Sequence, residues 1–126
     1  MTAIALAHVN LRAAPPVIEK LRAFYCDVLG LAAGPRPQFA LQGYWLYAGD
    51  RDVVHLVADD EAALRNAGES TFHHTAFDCE DRPAFEKRLQ ANRVPFHVAH
   101  VPGRNLVQVF LQDPAGNGVE LTFREG

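Results

Sequence analysis

Two polar positions recur in register along this 126-residue chain: His8 aligns with His74 at an offset of 66, and His55 with Glu120 at an offset of 65. Such a repeat marks a duplicated supersecondary unit. The order of elements repeats with it. Residues 4–12 alternate Ala7, Val9 and Leu11 with His8, Asn10 and Arg12, a strand with one apolar and one polar face. Pro15-Pro16 break that strand, and Val17, Leu21, Phe24 and Val28 recur at helical spacing until Gly30 supplies a stop. After a Pro35/Pro37 linker, the runs Phe39–Tyr47 and Asp52–Ala58 read as a hairpin joined by the turn Ala48-Gly49-Asp50. Residues 59–70 are polar and Ala-rich, with one helical turn predicted at Glu61–Asn66. The second half then offers a strand at 71–78 and a helix at 83–92 that Asp81 caps and Pro83 starts. Strands follow at about 95–100, 105–112 and 118–124.

The expected fold class is α+β: two βαβββ modules in tandem, at about 4–58 and 71–124 with a linker at 59–70, inside one domain covering residues 1–126. In each closing strand an apolar-polar-apolar run, Val54-His55-Leu56 and Val119-Glu120-Leu121, turns the polar residue onto one face. Four potential ligands, His8, His55, His74 and Glu120, are thus expected to face one cleft between curved mixed sheets. That cleft forms within one chain or across a dimer. His73 neighbours His74 and is expected on the opposite face of the same strand.

Composition narrows the partners. Apolar residues make up 48% and charged residues 21%, as in an ordinary globular protein, and no apolar run approaches the roughly 18 residues of a bilayer span. The opening Met1-Thr2-Ala3-Ile4-Ala5-Leu6-Ala7 lacks a basic leader region, so a soluble, cytoplasmic protein is expected. A net charge of -3 without a Lys/Arg cluster gives no electrostatic footprint for nucleic acid or an anionic membrane, which leaves small molecules. Cys26 and Cys79 stand in no metal or redox spacing and read as reduced core thiols.

Four motifs resemble the vicinal-oxygen-chelate superfamily of glyoxalases, bleomycin-resistance proteins and extradiol dioxygenases, and within it glyoxalase I-like proteins. His8-Val9-Asn10-Leu11-Arg12 is similar to the opening-strand His-x-x-Leu-Arg, and Phe24-Tyr25-Cys26-Asp27-Val28-Leu29-Gly30 to the helix end Phe-Tyr-x-x-Val-Leu-Gly. His74-Thr75-Ala76 is similar to the mid-chain His-x-Ala strand. Asp113-Pro114-Ala115-Gly116-Asn117-Gly118-Val119-Glu120-Leu121, the most specific, is similar to the closing Asp-Pro-x-Gly-x-x-Ile-Glu-Leu. The resemblance implies metal ligation by His8, His74 and Glu120, and a homodimer. At the fourth ligand position, where glyoxalase I has a second glutamate, stands His55.

Two imidazoles and a carboxylate suit one divalent ion, Zn, Ni, Fe or Mn, with positions left open for a substrate. His55 reads either as a fourth ligand or as a general base, and Glu120 is the first choice of base. Arg12, on the face of His8, is placed to grip a substrate carboxylate. Tyr44, Trp45, Tyr47, Phe39 and Phe110 are candidates to wall an apolar pocket. The leading reading is a glyoxalase I-like (lactoylglutathione lyase-type) lyase or isomerase, working through an enediolate-type intermediate. Its substrate is a small oxygen-chelating molecule, a glutathione adduct among the candidates. Thiol transfer of the fosfomycin-resistance type is an alternative, with Arg104 the one obvious phosphonate-binding candidate. An extradiol dioxygenase ranks below it, because those enzymes are about twice this length. Metal-free drug binding, as in bleomycin-resistance proteins, is the non-enzymatic alternative.

Overall fold

The computed structural model describes residues 1–62 and 70–125. Two compact units divide the chain, Met1–Leu64 and Arg65–Gly126. Beyond Ala62, the helical turn expected at Glu61–Asn66 lies outside the described residues.

In the first unit, β1 (Val9–Ala13) leads through α1 (Pro15–Ala23) and a π-helical continuation (Phe24–Val28) to β2 (Ala32–Gly34), β3 (Gly43–Ala48) and β4 (Arg51–Ala58). The sheet order is β1-β4-β3-β2, with β1 parallel to β4 and the other pairs antiparallel. Leu46, Val54 and Leu56 on one sheet face and Ile18 and Leu21 of α1 are fully buried, each worth roughly 1.5–3 kcal/mol of hydrophobic stabilisation. The π turn, closed by Leu29 N–H donating to the Phe24 carbonyl, inserts one residue and brings the consecutive Phe24 and Tyr25 both into the core. Gly30, at φ 84°, then ends the helix in the left-handed conformation a glycine adopts without a Cβ clash.

The second unit repeats the plan. β5 (His74–Cys79), α2 (Arg82–Ala91), β6 (His97–His100), β7 (Leu106–Gln112) and β8 (Gly118–Arg124) form a sheet of order β5-β8-β7-β6, again with the outer pair β5/β8 parallel. Leu89, Val109, Leu121 and Phe123 form its core, and Phe85 of α2 meets Phe123 edge-on at 5.6 Å. Asp81 accepts a hydrogen bond from Ala84 N–H and caps α2, as the sequence predicts.

The strands depart from the sequence reading at four places, one being β5, which begins at His74 rather than at residue 71. The first strand begins at Val9 rather than near residue 4, because ladder pairing starts at Val9 opposite Val54, just past an extra residue in β4. β2, Ala32-Ala33-Gly34, carries no β-branched or aromatic signal and exists through its pairing with β3. The run expected at Phe39–Tyr47 forms strand only from Gly43.

Candidate functional site

Each unit turns one sheet face to its helix and carries its chemical groups on the other. In the first unit, alternation along β4 sends Val54 and Leu56 to the helix side and His55 to the opposite face, opposite Asn10 of β1 and Trp45 of β3. His55 is 6% exposed because a ring stacks on each side of it. His8 lies at 3.7 Å between centroids and 14° between planes, Trp45 at 4.1 Å and 10°.

Asp52, which the sequence reading does not single out, joins them: its Oδ2 lies 2.6 Å from His55 Nε2. Strict alternation along a strand would put residues three apart on opposite faces. Here the register runs Leu46 opposite Val54 and Tyr47 opposite Asp52, so Val53 is an unpaired extra residue, a β-bulge. The bulge cancels one step of alternation and re-aims the Asp52 carboxylate. The hydrogen bond from His55 holds that carboxyl below its usual range. His8, Asp52 and His55 each present one ligand atom, all within 4.8 Å of one another, which is a donor set and spacing that fit a divalent ion.

The second unit places Glu120 on the helix-free face of β8, opposite Ala76 of β5 and Phe110 of β7. It is 7% exposed. Its Oε2 accepts from the Thr122 hydroxyl at 2.7 Å, and its Oε1 lies 3.3 Å from His74 Nε2. Phe110 meets the His74 ring edge-on at 6.3 Å. The sequence Trp45, His55, His8 across the first sheet is therefore repeated as Phe110, Glu120, His74 across the second. Gly118 pairs with His74, and a Cβ there would run into the His73 carbonyl, so this register requires glycine. The turn before it is built around buried Asp113, which accepts from the N–H groups of Ala115 and Asn117 and from the Asn117 amide.

His73 is not on the far side of the strand. It precedes β5, outside the ladder that would fix its direction, and its Nδ1 lies 2.9 Å from His74 Nδ1. Thr122, two residues after Glu120 and thus on the same face, is a contact that the strand period could have given.

Other predicted site residues are placed less centrally. Arg12 shares the face of His55; its side chain is 55% exposed and meets Asp59 at 3.5 Å. Tyr44 does not join the stack: opposite Leu56 on the helix side of the sheet, it donates to Glu19 of α1 at 2.7 Å and carries the Arg22 guanidinium over its ring. Phe39, 6.4 Å from Trp45 and half exposed, extends the aromatic surface, whereas Tyr47 donates to the Pro35 carbonyl.

Residues 5–121 match the family model described as Glyoxalase/Bleomycin resistance protein/Dioxygenase superfamily. No curated protein sequence matches the chain. Among solved structures, the chain is similar to a putative glyoxalase family protein from Bacillus anthracis at 22% identity and TM-score 0.75, covering 99% of this chain and 98% of that one. It is similar to a lactoylglutathione lyase from Agrobacterium tumefaciens at 24% identity and TM-score 0.69, covering 98% and 96%. TnmS3, an antibiotic binding protein from Streptomyces sp. CB03234, is similar at 19% identity and TM-score 0.69, covering 99% of each chain. These likenesses are of fold.

Proposed function

The chain belongs to the Glyoxalase/Bleomycin resistance protein/Dioxygenase superfamily, and from that premise we propose that it is a metal-dependent, glyoxalase-like lyase or isomerase. Its substrate on this reading is a small molecule with two neighbouring oxygens, a glutathione hemithioacetal being the first to try. The observation that carries the reading is the repeated juxtaposition on the helix-free faces: His8 stacked on His55 in one sheet, and His74 at 3.3 Å from Glu120 in the other. An exposed or half-exposed histidine beside a buried polar group, twice in register, is an arrangement that packing alone does not call for.

On this proposal His8, His74 and Glu120 would hold one Zn, Ni, Fe or Mn ion, with His55 as a fourth ligand or a base. When bound, the ion would supply Lewis acidity, offsetting negative charge that develops on the substrate as a C–H proton leaves. Glu120 receives that proton. Its Oε2 is steadied by the Thr122 hydroxyl, and its Oε1 lies beside His74 Nε2. Trp45 and Phe110, at equivalent positions of the two sheets, screen these groups from water and flank the apolar part of the substrate. Arg12, more than half exposed and only weakly paired, binds a substrate carboxylate.

Metal analysis of the purified protein and of His74→Ala tests this, followed by an assay with methylglyoxal and glutathione. One ion per site in the wild type, lost in the variant, is expected. Turnover would then fix the substrate class, and no turnover would direct the search to other hemithioacetals and α-hydroxycarbonyl compounds. Failure to bind any of the four ions would sink the reading. It would favour a metal-free binding module instead, a role to which the exposed Phe39 beside Trp45 lends itself.

A further inference from the structure

We infer that Asp52 is a metal ligand, so that His8, Asp52 and His55 form a two-histidine, one-carboxylate group within the first unit. This rests on the metal-dependent reading above and adds to it a residue that the repeat does not supply. Three observations carry it. The donor atoms of the three residues lie within 4.8 Å of one another. The β-bulge at Val53 gives up regular ladder pairing, and its result is a carboxylate on the histidine face. The third observation concerns what Asp52 is needed for. A carboxylate that only accepts a ring N–H from a histidine serves to orient that ring. The plane of the His55 ring, however, is already held by Trp45 stacked on it at 4.1 Å. That part of its orientation is supplied without Asp52.

For the Asp52–His55 pair the shift required is small. Ligand atoms sharing an ion through bonds of about 2.1 Å stand about 3–3.5 Å apart, so the 2.6 Å contact between Asp52 and His55 opens by less than about 1 Å. The Asp52 side chain is 37% exposed near the start of β4, and His8 is exposed ahead of β1, so both have room to turn toward an ion.

The test is equilibrium metal binding by chelator-stripped, full-length protein, with Zn(II) and Co(II) as probes in competition with a chromophoric chelator. Asp52→Asn should weaken binding by at least about tenfold, and Asp52→Glu, which keeps a carboxylate, should recover most of the loss. Asp52→Asn should cost as much again in a His55→Ala background, since a ligand acts on the ion directly. Far-UV circular dichroism of each variant checks that the fold persists. Asp52→Asn binding like wild type would overturn the inference, as would loss of its effect once His55 is gone, which would make it a positioning residue acting through His55. If His74→Ala loses the ion while Asp52→Asn keeps it, only the role of Asp52 falls. If the wild type binds no ion, the metal-dependent reading falls with it.

Discussion

Cys79 shows how strongly a single side chain here answers to its surroundings. Burial, with the neighbouring Asp78 charge adding to it, pushes its thiol up to about 11 from an ordinary 9.0. At pH 8 such a thiol carries about a hundredfold less thiolate than an ordinary one, and the thiolate is the nucleophile. Peptide mapping by mass spectrometry after iodoacetamide treatment at pH 8 should therefore find Cys79 unmodified over the time that fully alkylates glutathione; labelling at the peptide rate would show it to be less buried than it stands. The same scale explains which of the proposed site residues are readable from sequence. His8, His55, His74 and Glu120 are legible because strand alternation and the repeat select them, and the structure puts them in pairs on the helix-free faces. Asp52 is not, since its position depends on the extra residue Val53, and the pattern Asp52-Val53-Val54-His55 carries no mark of a bulge. Tyr44 groups with Trp45 in sequence, yet adjacent strand residues face opposite ways, and its partner Glu19 lies far off along the chain.

Among the elements, α2 and β8 are tied at their ends by Arg82. It donates through Nε to Glu125 Oε2 at 2.7 Å and through Nη2 to Oε1 at 3.0 Å, while Nη1 reaches Glu86 one helical turn on. The paired guanidinium holds the Glu125 carboxyl below its ordinary 4.5. A depressed carboxylate stabilises the folded state fully above the unfolded value, and that contribution fades as pH falls through the folded one. Stability of wild type relative to Arg82→Ala should accordingly be greatest above pH 4.5 and shrink in more acid solution. The Glu125 carboxyl carbon, followed by NMR, should titrate below 4.5 in wild type and return toward 4.5 in the variant; equal midpoints would mean the fork is not held in solution. Pairings of this kind are also why some elements escape a reading of the sequence. α2 announces itself through Asp81 and Pro83, and β8 through Val119, Leu121 and Phe123, all local signals. The strand Ala32–Gly34 has none, being made by its neighbour β3, and the π turn at Phe24–Val28 reads as ordinary helix because its apolar residues stay near helical spacing.

For the molecule as a whole, the repeat separates what holds each unit together from what the units display. The first unit is closed by Ile18, Leu21, Leu46, Val54 and Leu56, and the second by Leu89, Val109, Leu121 and Phe123, every one of them buried on the side of its own helix. None is a proposed ligand. A domain whose cores are complete without an ion has no reason to unfold when one is removed, unlike small metal-folded modules in which binding energy is folding energy. Chelator treatment should then leave the far-UV circular dichroism unchanged while lowering the melting temperature. Ligand linkage sets the size of that effect at about 2.7 kcal/mol when free ion is a hundredfold above its Kd, and about 4 kcal/mol at a thousandfold. Calorimetry with and without Zn(II) measures it directly. In His74→Ala the same addition should move the transition far less, because the variant has lost a ligand while its cores are untouched. A stripped protein that loses its secondary structure would instead assign the ligand residues a structural task, with the ion standing in for packing that the two sheets otherwise provide.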